Sequence, residues 1–261
     1  MKLFIEPVIN CYWHRHPNFG DAMTELLVRE LSGFKAAYVG LDQDCLKLAM
    51  CGSILADLRP PCVVWGCGIG QENQTVAAGL DIRAVRGPLS LARAQESHPG
   101  LACGVGDVAS LLPLIWPRQP TGKYELGVVP HYTDYRCAVG KFWGQRNIRI
   151  VDVMNPFERV VDDICACRAV ISSSLHGLIV AHAYGIPALW VKFGDGVIGG
   201  GFKFRDYFES VNIKPYAQTD AIEPMPASLS AMASLMPVPN HAAIRQSLLS
   251  SCPVQIVRSF A

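Results

Sequence analysis

A serine triplet followed by Leu175-His176-Gly177 stands between an apolar run ending at Ser172 and a second one reaching Tyr184. A strand ending near Ser172 and a helix beginning near Leu175 would bring unbonded backbone N–H groups and the positive end of a helix dipole to one point, which is an anion site. Ser173, Ser174 and Leu175 would line it. His176 would stand at the anion's edge, where an imidazole moves protons near neutral pH. Gly177 lets a ligand or a second backbone come close. A serine-capped helix with a packed histidine satisfies the same pattern.

Other strand-end loops carry polar residues that a cleft can use. Asn18-Phe19-Gly20-Asp21 follows Trp13-His14-Arg15-His16-Pro17. It reads as a tight turn, with Asp21 capping a helix over 22–31 and the Asn18 and Asp21 side chains facing a cleft. Gly52-Ser53 and Gly66-Cys67-Gly68-Ile69-Gly70 each follow an apolar run; the second lacks the spacing of the dinucleotide fingerprint, and tight turns account for both. Arg86, at a strand end before Gly87-Pro88, suits anion capture, as it suits a surface ion pair. Gly106-Asp107 and Pro130-His131-Tyr132 are further loops of this kind. Lys203-Phe204-Arg205-Asp206 follows three glycines, so a flexible loop carrying Lys203 and Arg205 could close over an anion; a solvated helix start fits equally.

These loops need elements to hold them. Apolar runs without alternation lie at 3–5, 47–55, 62–65 and 81–85, then at 125–129, 148–153, 169–172 and 188–191, which suggests parallel strands buried on both faces. Asn155, Pro156 and Glu158 open a helix running to about 167. Residues 116–122 read as a linker, and the prolines of 214–239 as an extended crossing segment. Asn240 caps a last helix over 241–251. The expected architecture is α/β, with two Rossmann-like lobes (1–120 and 121–261) facing a cleft, binding at the carboxyl ends of the strands, and the last helix (240–251) packing back on the first lobe.

The chain has 261 residues, 50% hydrophobic and 17% charged, which excludes a disordered or coiled-coil protein. Its net charge of +1 supplies no general field for nucleic acid. The 10 cysteines are scattered and the start is not leader-like, so reduced thiols in the cytoplasm are expected. No Asp/His/Cys set has ligand spacing along the chain; no metal is expected, and activity should survive EDTA. No charged residue occurs between Arg168 and Lys192, but the serines, His176, His182 and the Gly185-Ile186-Pro187 break favour a buried strand, helix and strand over a membrane span.

In order, Asn18-Phe-Gly-Asp21, Gly52-Ser53, Trp65-Gly-Cys-Gly68, Arg86-Gly-Pro-Leu-Ser90, Gly106-Asp107, Pro130-His131-Tyr132, Leu175-His176-Gly177 with Ala183-Tyr-Gly-Ile-Pro187, and Lys203-Phe-Arg-Asp206 resemble the polysaccharide pyruvyl transferase family, most closely its exopolysaccharide ketal branch. The resemblance implies a glycosyltransferase-B-like pair of lobes and no cofactor. It implies phosphoenolpyruvate as donor and a lipid-linked saccharide as acceptor, met by peripheral contact with the cytoplasmic membrane. His176 would be the acid/base, with Arg86, Ser173, Ser174, Leu175, Gly177, Lys203 and Arg205 on the donor side. Asn18, Asp21, Gly52, Ser53 and His131 would be acceptor-side or structural. Ser174 stands where the family commonly carries an arginine, which leaves Arg86, Lys203 or Arg205 to meet the donor's charge. A sugar-nucleotide glycosyltransferase and a non-catalytic carbohydrate binder remain the alternatives.

Overall fold

The computed structural model describes residues 7–15, 18–197 and 199–257. Its first half contains β1 (Val8–Cys11), α1 (Phe19–Ser32), β2 (Lys35–Tyr38), β3 (Lys47–Ala49), β4 (Cys62–Trp65), β5 (Asp81–Val85), α2 (Pro88–Ser97) and β6 (Gly104–Val105). A 3-10 turn at Val108–Leu111 and the short α3 (Leu112–Ile115) follow. The second half contains β7 (Tyr124–Val129), α4 (Tyr135–Phe142), β8 (Ile148–Ile150), α5 (Phe157–Cys165), β9 (Cys167–Ser172), α6 (Leu175–Ala183), β10 (Ala188–Lys192), α7 (Phe202–Ser210) and β11 (Thr219–Asp220), then α8 (Pro226–Ser234) and α9 (Ala242–Ser250).

The strands form two sheets, ordered β2-β1-β3-β4-β5-β6 and β11-β10-β9-β7-β8, with every neighbour parallel. This is an α/β protein with two parallel-sheet cores. In both sheets the first strand lies between the second and the third. Such a reversal leaves a crevice outside the carboxyl ends of the two central strands, where doubly wound sheets bind ligands. The crevices fall at β1/β3 and at β7/β9.

The uncharged run beyond Arg168 folds as β9, α6 and β10, and almost all of it is buried. Among the described residues no helix is long and apolar enough to cross a membrane.

Several local expectations are corrected. Run 3–5 lies outside the described residues, and the first described strand is β1. Run 47–55 yields only the three residues of β3, because Gly52 takes φ 95° and turns the chain. Residues 214–239 are not simply extended: Pro226 sits at the first turn of α8, where its missing N–H costs nothing. The cap of α1 is Asn18 rather than Asp21. The chain position assigned to the cap of α5 is Pro156 rather than Asn155.

One core serves both sheets. Met23 and Leu27 of α1, Trp65 of β4, Leu112 of α3, Val160 of α5, Val170 of β9 and Leu178 of α6 belong to a single buried cluster. Two smaller clusters cover the outer faces of the first and second sheets. The helix α9 packs on β6, where Trp65 Nε1 donates to Leu248 O at 3.1 Å and the Val105 amide donates to Ser247 Oγ at 3.1 Å.

Candidate functional site

The loops leaving the central strands of both sheets meet around a cleft of about 160 Å³. His14, Asn18 and Asp21 come from the β1–α1 segment and Gly52 and Ser53 from the loop after β3. His131 and Tyr132 follow β7, Val153 follows β8, and Ser174, Leu175 and His176 follow β9. Lys203, at the start of α7, completes the lining.

Two helices begin at this cleft. Asn18 caps α1: its Oδ1 accepts from the Asp21 amide at 3.1 Å, and its Nδ2 donates to Asp21 Oδ2 at 2.6 Å. Both side chains therefore hold each other at the cleft wall while satisfying the helix end. Ser174 caps α6, its Oγ accepting from the Gly177 amide at 3.4 Å. The first amides of a helix have no acceptor within it, so those of Leu175 and His176 are placed to bind an anion.

Lys203 brings the positive charge. Burial lowers its pKa to about 8, with help from Arg86 and against the pull of Asp134. Burial, then Lys203, lowers His131 to about 4, so that this imidazole is neutral at pH 7. Its Nδ1 lies 2.7 Å from Thr133 Oγ1.

His176 is 14% exposed at the side chain. Its Nε2 lies 3.4 Å from Cys51 Sγ and 3.9 Å from Asp107 Oδ2. Burial lowers its pKa; Asp107 and Asp21 oppose that, while Arg86 and Lys203 add to it. Gly20 makes room for the ring, since a Cβ there would collide with His176 Nδ1.

Not every expected residue reaches the cleft. Arg86 is fully buried behind its wall. Its Nε donates to Asp206 Oδ2 at 3.0 Å, its Nη2 to Ile69 O at 2.5 Å and its Nη1 to Ser53 Oγ at 2.8 Å. Asp206 in turn accepts from the Ser90 amide at 2.9 Å and the Ser90 hydroxyl at 2.6 Å. The segments around Ser53, Arg86 and Asp206 thus form one buried clasp across the first half of the chain and α7. Arg205 pairs with Glu72 at 3.2 Å and lines a different pocket, beside Trp190 and Tyr216. Ser173 is buried, donating to Asp134 Oδ2 at 2.6 Å and accepting from the His131 amide at 2.9 Å. The space beside Gly177 is taken by Ser172 and Val129 rather than left for a ligand. His14, from the loop before α1, pairs with Asp57 at 3.2 Å, and His16 lies outside the described residues.

No Asp/His/Cys set has ligand spacing along the chain, yet the fold brings one together in space. Cys51, Asp107 and His176 place ligating atoms within 4.8 Å of one another. They are 51, 107 and 176 in the chain, so no sequence spacing could show it. Gly106-Asp107 was a visible motif; Cys51 carried no signal at all.

The protein is thus α/β, with two parallel sheets whose crevices bring two helix N-termini, Lys203 and His176 to one cleft. The chain belongs to the polysaccharide pyruvyl transferase family, whose profile matches residues 18–193. It is 26% identical over 212 residues to uncharacterized protein L143 of Acanthamoeba polyphaga mimivirus, covering 78% of this chain and 74% of that protein. It is also 26% identical over 215 residues to succinoglycan biosynthesis protein ExoV of Rhizobium meliloti (strain 1021), covering 77% of this chain and 64% of that protein.

Proposed function

We propose that this protein transfers pyruvate from phosphoenolpyruvate to two hydroxyls of a terminal hexose in a lipid-linked exopolysaccharide unit, closing a cyclic ketal and releasing phosphate. The two sheets would act as a glycosyltransferase-B-like pair of lobes. The observation that carries the reading is the convergence of the α6 N-terminus, Lys203 and His176 on one small cleft. Phosphoenolpyruvate has a phosphate and a carboxylate, and the two kinds of donor meet them: backbone amides on one side, an ammonium on the other. With Ser174 in place of an arginine, and Arg86 and Arg205 engaged elsewhere, the donor's charge falls to Lys203 and the amides.

The reaction requires a proton on donor C3, attack of one hydroxyl at C2, loss of phosphate and closure by the second hydroxyl. An imidazole held neutral by burial serves as the base for a hydroxyl. The protein would work in the cytoplasm, in peripheral contact with the membrane that carries its acceptor, without a metal or other cofactor.

Thermal shift with phosphoenolpyruvate and with nucleotide sugars tests the donor. Stabilisation by the first alone is expected, followed by phosphate release when a saccharide acceptor is added. Stabilisation by a nucleotide sugar alone would favour glycosyl transfer, and acceptor binding without phosphate release a non-catalytic role.

Lys203 gives this site a pH dependence of definite sign. A lysine with pKa about 8 is charged below that value and neutral above it. Affinity for phosphoenolpyruvate should therefore hold from pH 6 to 7 and weaken as pH rises through about 8, to a limit displaced upward by the bound dianion. Lys203→Gln should bind weakly at every pH. A flat titration curve in the wild-type protein would remove Lys203 from the donor site.

Arg205→Ala should leave donor affinity within a factor of two or so and stability within about 0.5 kcal/mol, because its ion pair with Glu72 is exposed. Calorimetric titration checks the affinity and a thermal melt the stability, and a tenfold loss of affinity would return Arg205 to the donor site.

A further inference from the structure

Asp107 Oδ2 is buried and has no hydrogen-bond partner among the described residues, while its Oδ1 accepts from the Ala109 amide at 2.9 Å. An orphaned buried carboxylate oxygen is costly and asks what it faces. It faces the His176 Nε2 edge, 3.9 Å away. Cys51 Sγ lies beside the same nitrogen and donates its thiol proton to Gly20 O at 3.0 Å. A thiol has one proton, so toward His176 the sulfur presents only its acceptor side. Both groups on that edge accept, so the edge suits a ring nitrogen that carries hydrogen.

We propose that Asp107 is the positioning residue for His176: with Cys51 it holds the imidazole in its Nε2–H form and so fixes the tautomer and orientation of the ring at the cleft. Orientation of one ring nitrogen by a carboxylate fixes which nitrogen reacts. In the step this serves, a substrate hydroxyl passes its proton to the imidazole. The O–H electron pair stays on oxygen and forms the bond to donor C2, and the positive charge of the imidazolium faces the Asp107 carboxylate. Passage of that proton to the departing phosphate restores the neutral ring.

The same three residues have the spacing of a metal site, but one observation favours the dyad. The Cys51 thiol has its hydrogen engaged by Gly20 O, whereas a metal ligand must be the thiolate. The charged groups around His176 are Asp107 and Asp21, which favour its cation, and Arg86 and Lys203, which oppose it.

The kinetic part of this inference rests on the pyruvyl-transfer reading; the spectroscopic part does not. Imidazole ¹⁵N NMR of the substrate-free protein, with the His176 signals assigned through His176→Gln, should show the Nε2–H form. Asp107→Asn keeps the Oδ1 acceptor for Ala109 and sets an amide donor against Nε2–H. In that variant the ring should move toward the Nδ1–H form, and its pKa should fall by about 1 unit or more, as expected on removing an opposite charge within reach. Turnover should fall by about 10²-fold with the KM for phosphoenolpyruvate little changed, and the histidine limb of the pH profile should move to lower pH. Wild-type His176 in the Nδ1–H form would overturn the proposal, with no variant needed. So would an unaltered tautomer and pKa in folded Asp107→Asn, or one equivalent of a divalent ion that survives purification and is lost in Cys51→Ser.

Discussion

Replacing His176 with glutamine should leave the fold and phosphoenolpyruvate binding intact and reduce turnover by about 10²–10⁴-fold, the usual cost of losing a general acid or base. The fold should survive because the ring sits at the second position of α6, at the edge of the cleft. Glutamine is of similar length and can still approach Cys51 and Asp107. Binding should survive because the donor's anionic groups are met by Lys203 and by backbone amides that the substitution keeps. The sign of the wild-type pH dependence follows from the lowered pKa of His176. As a base, the ring is active when neutral, so the rate should rise as pH climbs through a value below the ordinary 6.5 and then stay level until Lys203 loses its charge. Single-turnover phosphate release with matched donor titrations is the measurement. Near-wild-type turnover would take His176 out of the mechanism and leave His131, after the neighbouring strand β7, as the group to test.

Asp206→Ala should be the most destabilising single change in the clasp. Arg86 and Asp206 are both fully buried, with Nη2 and Oδ2 2.9 Å apart. Deleting the carboxylate leaves a buried guanidinium with its main partner gone and strips the Ser90 amide and hydroxyl of their acceptor. Breaking a buried pair in this way costs about 3–5 kcal/mol, or about 6–20 °C of Tm for a chain of this size. Removing both charges with Arg86→Met and Asp206→Leu together should restore the part of that loss due to the unpaired guanidinium, while the Ser90 amide and hydroxyl stay without their acceptor. Thermal melts of the single and double variants decide it. If Asp206→Ala melts with the wild type but no longer binds phosphoenolpyruvate, the two residues belong to the donor site after all.

Much of the site was readable in sequence because its pieces are local. The strand-to-helix junction at Ser172–Leu175 announces itself by apolar residues, serines and a histidine within a few positions, and the cleft-lining loops at Asn18, Ser53 and His131 each follow an apolar run. What was not readable depends on pairing between distant segments. Arg86 looks like an anion ligand at a strand end until Asp206, 120 residues later, is found against it. Cys51 has no local pattern, and it comes near His176 only where the crevices of the two sheets meet. Short strands fail for a related reason. β6 and β11 have two residues each, too few to show any periodicity, and they are strands only because a longer neighbour holds them. Proline misled at 226 because the same residue that ends a helix also begins one.

The contact of α9 with β4 and β6 has a consequence for the order in which the protein is made. Trp65 finds its hydrogen-bond partner 183 residues further along the chain, and Val105 finds its own 142 residues on. A ribosome that has delivered both sheets has still not delivered the helix that closes the first one. Until residues 242–250 emerge, the nascent chain must carry β6 and the indole of Trp65 uncovered, and chaperones have that interval in which to bind. Lesions late in the reading frame should therefore show themselves as protease sensitivity near residue 105, far from where the codon changed.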